Sequence, residues 1–276
     1  DNITFTIRAK DKDGISKVVW LFGDGSKDSS FGDSPYSIMH RYSSVSPQYS
    51  HFTLIVSAYD SLGQITQDSA IITVGAMFVD PRDHQRYRVV EIGQQAWMAQ
   101  NLNFAGIGKD SGWTAKTGAG GSSYGRLYTW ATAMGLPDSC NNADCISQVE
   151  SPNQGVCPLG WHIPTQSDWE SLANAVESSP QVGNANGAKS LKSRSDWYKD
   201  GEINGNGTDD FGFSVLPAGL SYNDRSAGYF GARAFFWSTI ASPKEALAWA
   251  FYDGTSKIGY ESTDKRYGLS VRCLRD

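Results

Sequence analysis

The fourteen residues from Cys157 to Glu170, CPLGWHIPTQSDWE, constrain the fold of this chain more than any other stretch. Thr165 lies three residues before Asp168, which is the spacing of an N-terminal helix cap. Apolar residues then recur at helical spacing and predict one buried helix face: Trp169, Leu172, Ala173 and Val176. The helix is expected to end near residues 178–180, where two serines precede a proline.

Five blocks, one of which contains this stretch, follow one another in the larger, C-terminal part of the chain: YGRLYTWATAM (124–134), CPLGWHIPTQSDWESL (157–172), GFSVLPAG (212–219), FWS (236–238) and YGLSVRCLRD (267–276). In this order they resemble the Fibrobacter succinogenes major paralogous domain family, over residues 77–276. The resemblance implies an α+β fold similar to C-type lectin-like domains and to formylglycine-generating enzymes, with two helices, short strands and long loops. It also implies that a strand at Leu269 to Leu274 lies beside one near Arg86 to Ile92, because the chain ends pair in that fold.

Residues 1–75 carry strand patterns at short intervals, separated by glycine turns: 3–7, 17–22, 52–59 and 69–74. The segment WLFGDGS (20–26), followed by His40-Arg41-Tyr42, resembles the polycystic-kidney-disease (PKD) type of immunoglobulin-like domain. This resemblance implies an all-β immunoglobulin-like sandwich that acts as a spacer or an adhesion module, with carbohydrate binding as the alternative. The junction is expected at Gly75-Ala76, which gives domains 1–75 and 77–276.

Local patterns predict further elements in the second domain. Tyr87 to Met98 is typical of a hairpin with a tight turn at Gly93, and Asn101 to Phe104 is expected to continue the sheet. Residues 106–123 are rich in Gly, Ser and Thr and predict an exposed loop that carries Trp113. A first helix, ended by Gly135 and Pro137, is indicated by the apolar residues Leu127, Trp130, Ala131 and Met134.

The composition points to an extracellular protein, and the resemblance to the Fibrobacter family implies a bacterial cell surface. The net charge of -5 and the pI near 5.4 leave no basic face for nucleic acid. No apolar run approaches the roughly 20 residues that span a bilayer, so direct membrane insertion is not expected. A charged fraction of 19% with 29 Gly, 9 Trp and 13 Tyr is typical of a β-rich extracellular chain. Because the sequence opens at Asp1 in a strand pattern, we expect a longer surface polypeptide whose signal peptide precedes it.

All four cysteines lie in the second domain, and three pairings can be drawn between them. We favour a Cys140–Cys145 disulfide that closes a small loop and a Cys157–Cys273 disulfide that ties the opening stretch to the last strand. Zinc is the alternative, but no Cys-x-x-Cys pair occurs and His162 is the only histidine in their neighbourhood. Disulfides imply an oxidising compartment.

The sequence predicts no enzyme and no required cofactor. Formylglycine-generating enzymes, which the second domain resembles, use a pair of cysteines to bind copper and activate oxygen, whereas the favoured pairing leaves no free thiol. The four histidines have no Ser or Cys partner in a catalytic motif. His162, between Trp161 and Ile163, is expected to be packed and hydrogen-bonded to the backbone.

The segment NGNGTDD (204–210) offers oxygen atoms on alternate residues and could wrap a calcium ion. Its candidate ligands are Asn204, Asn206, Asp209 and Asp210. The segment lacks the downstream Glu of an EF-hand loop, and a turn whose side chains bond their own backbone is the favoured interpretation. Asp11-Lys12-Asp13-Gly14 is interpreted as a turn for the same reason.

The predicted binding surface lies between Leu220 and Asp253, where aromatic, Arg and Asn residues alternate with small ones. Its candidate ligand contacts are Tyr222, Asn223, Arg225, Tyr229, Phe230, Arg233, Phe235, Trp249, Phe251 and Tyr252. Such residues on a rigid scaffold carry binding energy and adaptable hydrogen bonds. A core position is the favoured interpretation for Phe236, Trp237 and Trp249, since Phe-Trp-Ser is one of the family blocks.

These features predict an adhesion module that binds a glycan or a protein on another surface. The alternative is a structural stalk or tip subunit with no ligand of its own. C-type lectin-like proteins are also similar to the variable targets of diversity-generating retroelements, which implies that the C-terminal surface could be a diversified binding face.

Overall fold

The computed structural model describes residues 2–42, 50–74, 76–106, 113–114, 121–180, 182, 187–200, 203–256 and 258–276. The chain forms two compact units, Asp1–Ala76 and Met77–Asp276. Most of the regular structure is β-sheet, and 13% of the structure is helical. The expectation of a β-rich fold is therefore confirmed.

The first unit is built from antiparallel strands: β1 (Asn2–Ile7), β2 (Ile15–Leu21), β3 (Lys27–Ser30), β4 (Tyr36–Arg41), β5 (Ser50–Asp60) and β6 (Ile65–Val74). β1 pairs with β4, and the larger sheet has the order β3-β2-β5-β6. Strands β3 and β4 were not predicted. β3 is a polar edge strand. In β4 the apolar residue Met39 stands at a position that is 63% exposed, so the sequence does not alternate between apolar and polar residues although the burial does. β6 begins earlier than predicted. Its first half is exposed and largely polar, so these residues lack the apolar alternation by which a strand is recognised.

Residues from both sheets form the core of the first unit: Val18, Trp20, Phe22, Tyr36, Tyr42, Leu54 and Val56. The ring of Phe22 stacks on His40 at 3.8 Å between centroids, and His40 Nε2 lies 2.8 Å from the carboxylate of Asp24. Although desolvation raises the pKa of Asp24, hydrogen bonds from Ser26 and His40 lower it to about 2. The glycine-rich turn after β2 is therefore held by an ionised aspartate.

The strands β1 and β4 leave part of the larger sheet uncovered. Thr66, Asp68 and Ala70 of β6 pair with inward-facing residues of β5 and share their face, yet all three are exposed. A cleft of about 480 Å³ lies there between residues 7–11 and β6. The edge strand β6 is thus open to solvent on its inward face as well.

The remaining strands are β7 (Ala76–Val79), β8 (Arg86–Ile92), β9 (Gln95–Met98), β10 (Trp113–Thr114), β11 (Arg126–Tyr128), β12 (Trp161–His162), β13 (Lys199–Asp200), β14 (Ile203–Asn204), β15 (Leu220–Ser221), β16 (Ala227–Gly228), β17 (Arg233–Ala241), β18 (Glu245–Tyr252), β19 (Gly259–Asp264), β20 (Leu269–Ser270) and β21 (Leu274–Arg275). The helices are α1 (Trp130–Met134), α2 (Gln166–Glu177) and α3 (Gly187–Leu191), with 3-10 turns at Gly121–Tyr124, Asp138–Asn141 and Ile146–Gln148. One sheet has the order β12-β21-β9-β8-β7 and the other the order β10-β11-β20-β17-β18-β19, with small hairpins β13–β14 and β15–β16.

The predicted hairpin is confirmed as β8 and β9, with Gly93 at a φ of 63° in its turn. The last strand, however, pairs with β9, where Leu274 lies opposite Trp97, so the expected pairing with β8 is wrong by one strand. Residues 101–104 form no strand, although the Leu102 amide donates to Val271 O at 2.9 Å. Most of the predicted loop at 106–123 lies outside the described residues, but Trp113 belongs to β10.

The helix predicted from the opening stretch is confirmed as α2. The Thr165 hydroxyl accepts from the Asp168 amide and the Asp168 carboxylate accepts from the Thr165 amide, which completes a capping box. Trp169 on its buried face packs against Trp97, Phe236 and Trp249, with ring centroids 4.8, 5.4 and 5.8 Å away. α2 therefore covers both sheets of the second unit at once.

The other helices are short. α1 ends at Gly135 in the left-handed region, as predicted, but it begins at Trp130 because Leu127 belongs to β11. α3 was not predicted, so the expectation of two helices is wrong. Its five residues, GAKSL, are too few to show apolar residues recurring at helical spacing, so the sequence did not reveal its buried side.

Arg272 lies at the centre of the second unit, with 1% of its surface exposed. Its guanidinium donates to Phe213 O at 2.6 Å, Asn101 Oδ1 at 2.7 Å and Met98 O at 3.3 Å. Burial without a hydrogen-bonded carboxylate lowers its pKa to about 9. Arg272 thereby joins the last strands to β9 and to the loop before β15.

Both predicted disulfides are confirmed, Cys140–Cys145 and Cys157–Cys273. The second joins the turn before β12 to the segment before β21 and encloses the larger part of the unit. Because disulfides persist in oxidising compartments, they indicate a non-cytoplasmic protein. Among the described residues, no helix has the length and hydropathy to cross a membrane.

Candidate functional site

The predicted binding surface divides into exposed and buried residues. Asn223, Arg225 and Tyr229 are exposed, whereas Tyr222, Phe230, Arg233 and Tyr252 are half-buried. Phe235, Trp249 and Phe251 are 1%, 3% and 0% exposed. These three cannot contact a ligand at the surface, and their assignment as ligand contacts is wrong.

The buried residues belong to the central strands β17 and β18, whose two faces are both covered. Trp249 stacks on Trp169 of α2, and Phe251 packs edge-on against Phe236 at 6.1 Å. Phe235 points to the other face, where it contacts the ring of Tyr229 at 6.2 Å. The core position expected for Phe236, Trp237 and Trp249 agrees with their exposures of 0%, 1% and 3%.

The hairpin β15–β16 presents the first part of the surface. Its turn is closed by the Tyr222 amide, which donates to Ser226 O at 2.9 Å, and the Asp224 carboxylate accepts from the Ser226 amide at 2.9 Å. Asn223 and Arg225 are exposed at the tip. The ring of Tyr222 covers Gly228, where a Cβ would lie 2.7 Å from it, and contacts Tyr267 edge-on at 5.2 Å. A side chain at position 228 would therefore displace this tyrosine.

Tyr229 follows the hairpin with a φ of 58°, in the left-handed region that bulky residues avoid. Its carbonyl accepts from the amides of Ala232 and Arg233, each at 3.0 Å, and these bonds hold the backbone in place. The side chain is nevertheless 45% exposed. Strained residues concentrate at functional sites, where the surrounding structure enforces a conformation that folding alone does not need.

Arg233, the first residue of β17, lies between two tyrosine rings. Its guanidinium carbon is 4.2 Å from the ring centroid of Tyr229 and 5.3 Å from that of Tyr252. Its Nη1 is 3.9 Å from Oε1 of Glu261 on β19. We call Tyr229, Arg233, Tyr252 and Glu261 the Arg233 cluster. It combines exposed aromatic surface with one positive and one negative group, whose side chains are 35% and 36% exposed.

Hydrogen bonds inside the cluster fix its acidic member. The Tyr252 hydroxyl donates to Oε1 of Glu261. Burial, this hydrogen bond and the charge of Glu261 together raise the pKa of Tyr252 to about 12. Tyr252 is therefore a permanent donor that holds the carboxylate in one orientation.

Phe230 anchors this surface rather than forming part of it. Its ring packs against Tyr124 at 5.1 Å, within a small cluster that also contains Leu127 and Ala218. The residue points inward immediately after the exposed Tyr229. It therefore fixes the position from which Tyr229 projects.

Two residues of the site were missed by sequence reasoning. Glu261 lies on β19, which pairs with β18. The alternation of residues along β19 was the available signal that Glu261 shares a sheet face with Tyr252. Buried Lys192 donates to the Tyr252 carbonyl at 2.9 Å and thereby holds the end of β18. Desolvation lowers the pKa of Lys192 to about 8. Nothing in the local sequence of Lys192 indicates this role.

The predicted calcium loop has its oxygen atoms bonded within the protein. Asn206 Oδ1 accepts from the Trp197 amide at 3.1 Å, and Asn204 Oδ1 from the Asn206 amide at 3.2 Å. Asp209 accepts from the amide and hydroxyl of Ser214, and Asp210 accepts from the Thr208 hydroxyl at 2.6 Å. These contacts support the turn interpretation that the sequence favoured.

Within the described residues, the carboxylates that approach one another closely enough for a metal ion are those of Asp11, Asp13 and Asp60, in the first unit. Asp11 Oδ1 accepts from the Asp13 amide at 2.8 Å, and Asp60 Oδ1 accepts from the amides of Leu62 and Gln64. These bonds are those of two adjoining turns, as expected for residues 11–14. They give no separate sign of a ligand.

His162 is buried, as expected, but its partners are carboxylates and not the backbone. Its Nδ1 lies 2.7 Å from Asp276 and its Nε2 3.7 Å from Asp168. Interaction with Asp168 and Asp276 raises the pKa of His162, although burial opposes this. The ring joins the start of α2 to the last residue, a structural role that needs no catalytic assignment.

The sequence was compared with known proteins and families. No curated protein and no solved structure matches it. The model of the Fibrobacter succinogenes major domain matches residues 90–275, which span the three helices, the Arg233 cluster and both sheets except β7 and the start of β8. Because the match covers more than half of the chain, the chain belongs to the Fibrobacter succinogenes major domain family.

Proposed function

We propose that this chain is a non-catalytic binding module of a bacterial cell surface, and that it recognises a glycan through the Arg233 cluster. The observation that carries the proposal is Tyr229, an exposed aromatic residue in a strained backbone conformation with its ring against Arg233. A positive φ is a strained conformation for a tyrosine, and in an exposed aromatic residue it supports the hypothesis of a binding role. Rigid tyrosine and arginine side chains are the usual carriers of binding energy.

We also propose the finer architecture. The first unit is a PKD-type immunoglobulin-like spacer, supported by its antiparallel sheets and by the turn in which Phe22, Asp24 and His40 contact one another. The second unit is a C-type lectin-like domain, supported by the pairing of β21 with β9 near the start of the unit. Two disulfides fit a position outside the cell.

Glycan binding is tested by incubating the full chain with a glycan and polysaccharide array, once with calcium and once with a chelator. We expect binding in both conditions, because the side-chain oxygens at 204–210 are bonded within the protein. Tyr229→Ala should abolish binding. Tyr260→Ala is the matched control, since Tyr260 is 58% exposed but shares the sheet face of Trp249, opposite to Glu261.

If no glycan on the array is bound in either condition, the proposal is contradicted. Protein recognition, or a structural stalk or tip subunit, would then be favoured. Loss of binding in the chelator would instead place recognition at a calcium site. Equal binding by wild type and Tyr229→Ala would move the ligand site away from the Arg233 cluster.

A further inference from the structure

The distance between Arg233 and Glu261 allows one hydroxyl group to bridge their side chains. Nη1 and Oε1 are 3.9 Å apart, which is too far for a direct hydrogen bond. An oxygen atom to one side of the pair can lie about 2.9 Å from the nitrogen and about 2.7 Å from the carboxylate oxygen at once. A hydroxyl in this position accepts from Arg233 and donates to Glu261 through the same atom.

Both groups have hydrogen-bonding capacity left for a ligand. Within the described part of the chain, the Arg233 guanidinium makes no hydrogen bond, and its side chain is 35% exposed. The Glu261 side chain is 36% exposed and accepts one bond, from Tyr252. Water fills such positions in a free protein, and a ligand hydroxyl that reproduces the same two bonds can displace it.

Building on the proposed glycan-binding function, we propose that the Arg233–Glu261 pair recognises a hydroxyl of a neutral sugar and selects against acidic and sulfated sugars. A carboxylate or sulfate group could accept from Arg233 but could not donate to Glu261, whose negative charge would repel it. An ammonium group could donate to Glu261 but could not accept from Arg233, whose positive charge would repel it. The uncharged hydroxyl satisfies both partners.

The surroundings suit a sugar ring beside that hydroxyl. The Arg233 guanidinium lies against the ring of Tyr229 at 4.2 Å, and Tyr229 is 45% exposed, so an aromatic side chain lies beside the pair for the C–H groups of a sugar. Arg233 and Tyr252 are paired across β17 and β18, and the Tyr252 hydroxyl donates to Glu261 on the neighbouring strand β19. Little side-chain freedom is then lost on binding.

The test is affinity electrophoresis of the full chain in gels containing neutral polysaccharides, mannan or xyloglucan, or acidic ones, polygalacturonate or heparin. The variants are Glu261→Gln and, as a matched control, Glu245→Gln, which removes the same charge from an exposed carboxylate bonded to Ser262. Glu261→Gln should weaken binding to the neutral polymer about tenfold, because it loses a charge-assisted hydrogen bond. It should also strengthen binding to the acidic polymers. Glu245→Gln should do neither.

Binding of wild type to acidic polymers as tightly as to neutral ones would overturn this inference but leave the glycan-binding function intact, provided that Tyr229→Ala still abolishes binding. Unchanged neutral binding in Glu261→Gln would overturn it as well. Absence of binding to every polymer would contradict the proposed function itself and the inference with it. The melting temperature of each variant shows that it is folded.

Discussion

Loss of the Cys157–Cys273 disulfide should destabilise the second unit much more than loss of Cys140–Cys145. The two bonds span 116 and 5 residues of sequence. In the chain-entropy treatment, closing these loops in the unfolded chain stabilises the fold by about 4.8 and about 2 kcal/mol at 25 °C. All four cysteines are buried, so the packing lost on substitution is similar in both pairs and largely cancels in the comparison.

The assay is urea unfolding of the variants C157A/C273A and C140A/C145A, followed by tryptophan fluorescence. This signal reports mainly the second unit, because Trp20 is the only one of the 9 tryptophans in the first. The free energy of unfolding should be about 3 kcal/mol lower for C157A/C273A than for C140A/C145A. Equal values, or the reverse order, would refute the reasoning that loop length decides the contribution of each bond.

Three further predictions concern single residues. Tyr229→Gly should abolish polysaccharide binding but leave the melting temperature unchanged or raise it. Glycine adopts a φ of 58° without the roughly 1 kcal/mol that a side chain costs there. A clearly lower melting temperature in thermal denaturation would mean that the ring belongs to the core. Since Asp168 and Asp276 raise the pKa of His162, its stabilisation should be complete below about pH 6.5 and disappear as pH rises through the raised value. His162→Gln should therefore unfold more easily than wild type at acidic pH and equally at alkaline pH, and a difference independent of pH would contradict this. Thr165→Ala should lower the free energy of unfolding by about 1 kcal/mol, as seen by urea denaturation, whereas Thr165→Ser should keep the cap.

The parts of the fold that sequence predicted correctly depend on short-range rules. The cap at Thr165 needs only the Asp168 that follows it, and the turn at Gly93 needs only the backbone freedom of glycine. The Cys157–Cys273 pairing is long-range, but few alternatives compete with it among four cysteines. Each of these features is decided by a small number of residues.

The exposure of the residues in the proposed binding surface was predicted less well, because they alternate in strands that are largely covered on both faces. Alternation assigns Phe235 and Phe251 to opposite faces, but it cannot tell which faces other elements cover. α2 covers one face and Tyr229 part of the other, and neither contact is local in sequence. Glu261 was missed for the same reason, since it joins Arg233 only through two successive strand pairings.

The open inward face of β6 bears on how copies of this protein avoid aggregation. An edge strand offers unpaired backbone groups to which a strand of another chain can add. Asp68 lies in the middle of β6 and points inward, on the same face as Val56. A strand that added here and closed the cleft would bury the charge of Asp68, which is costly unless the carboxylate is paired and hydrogen-bonded. The charge of Asp68 on the open face of β6 therefore opposes the addition of a strand from another copy at this edge.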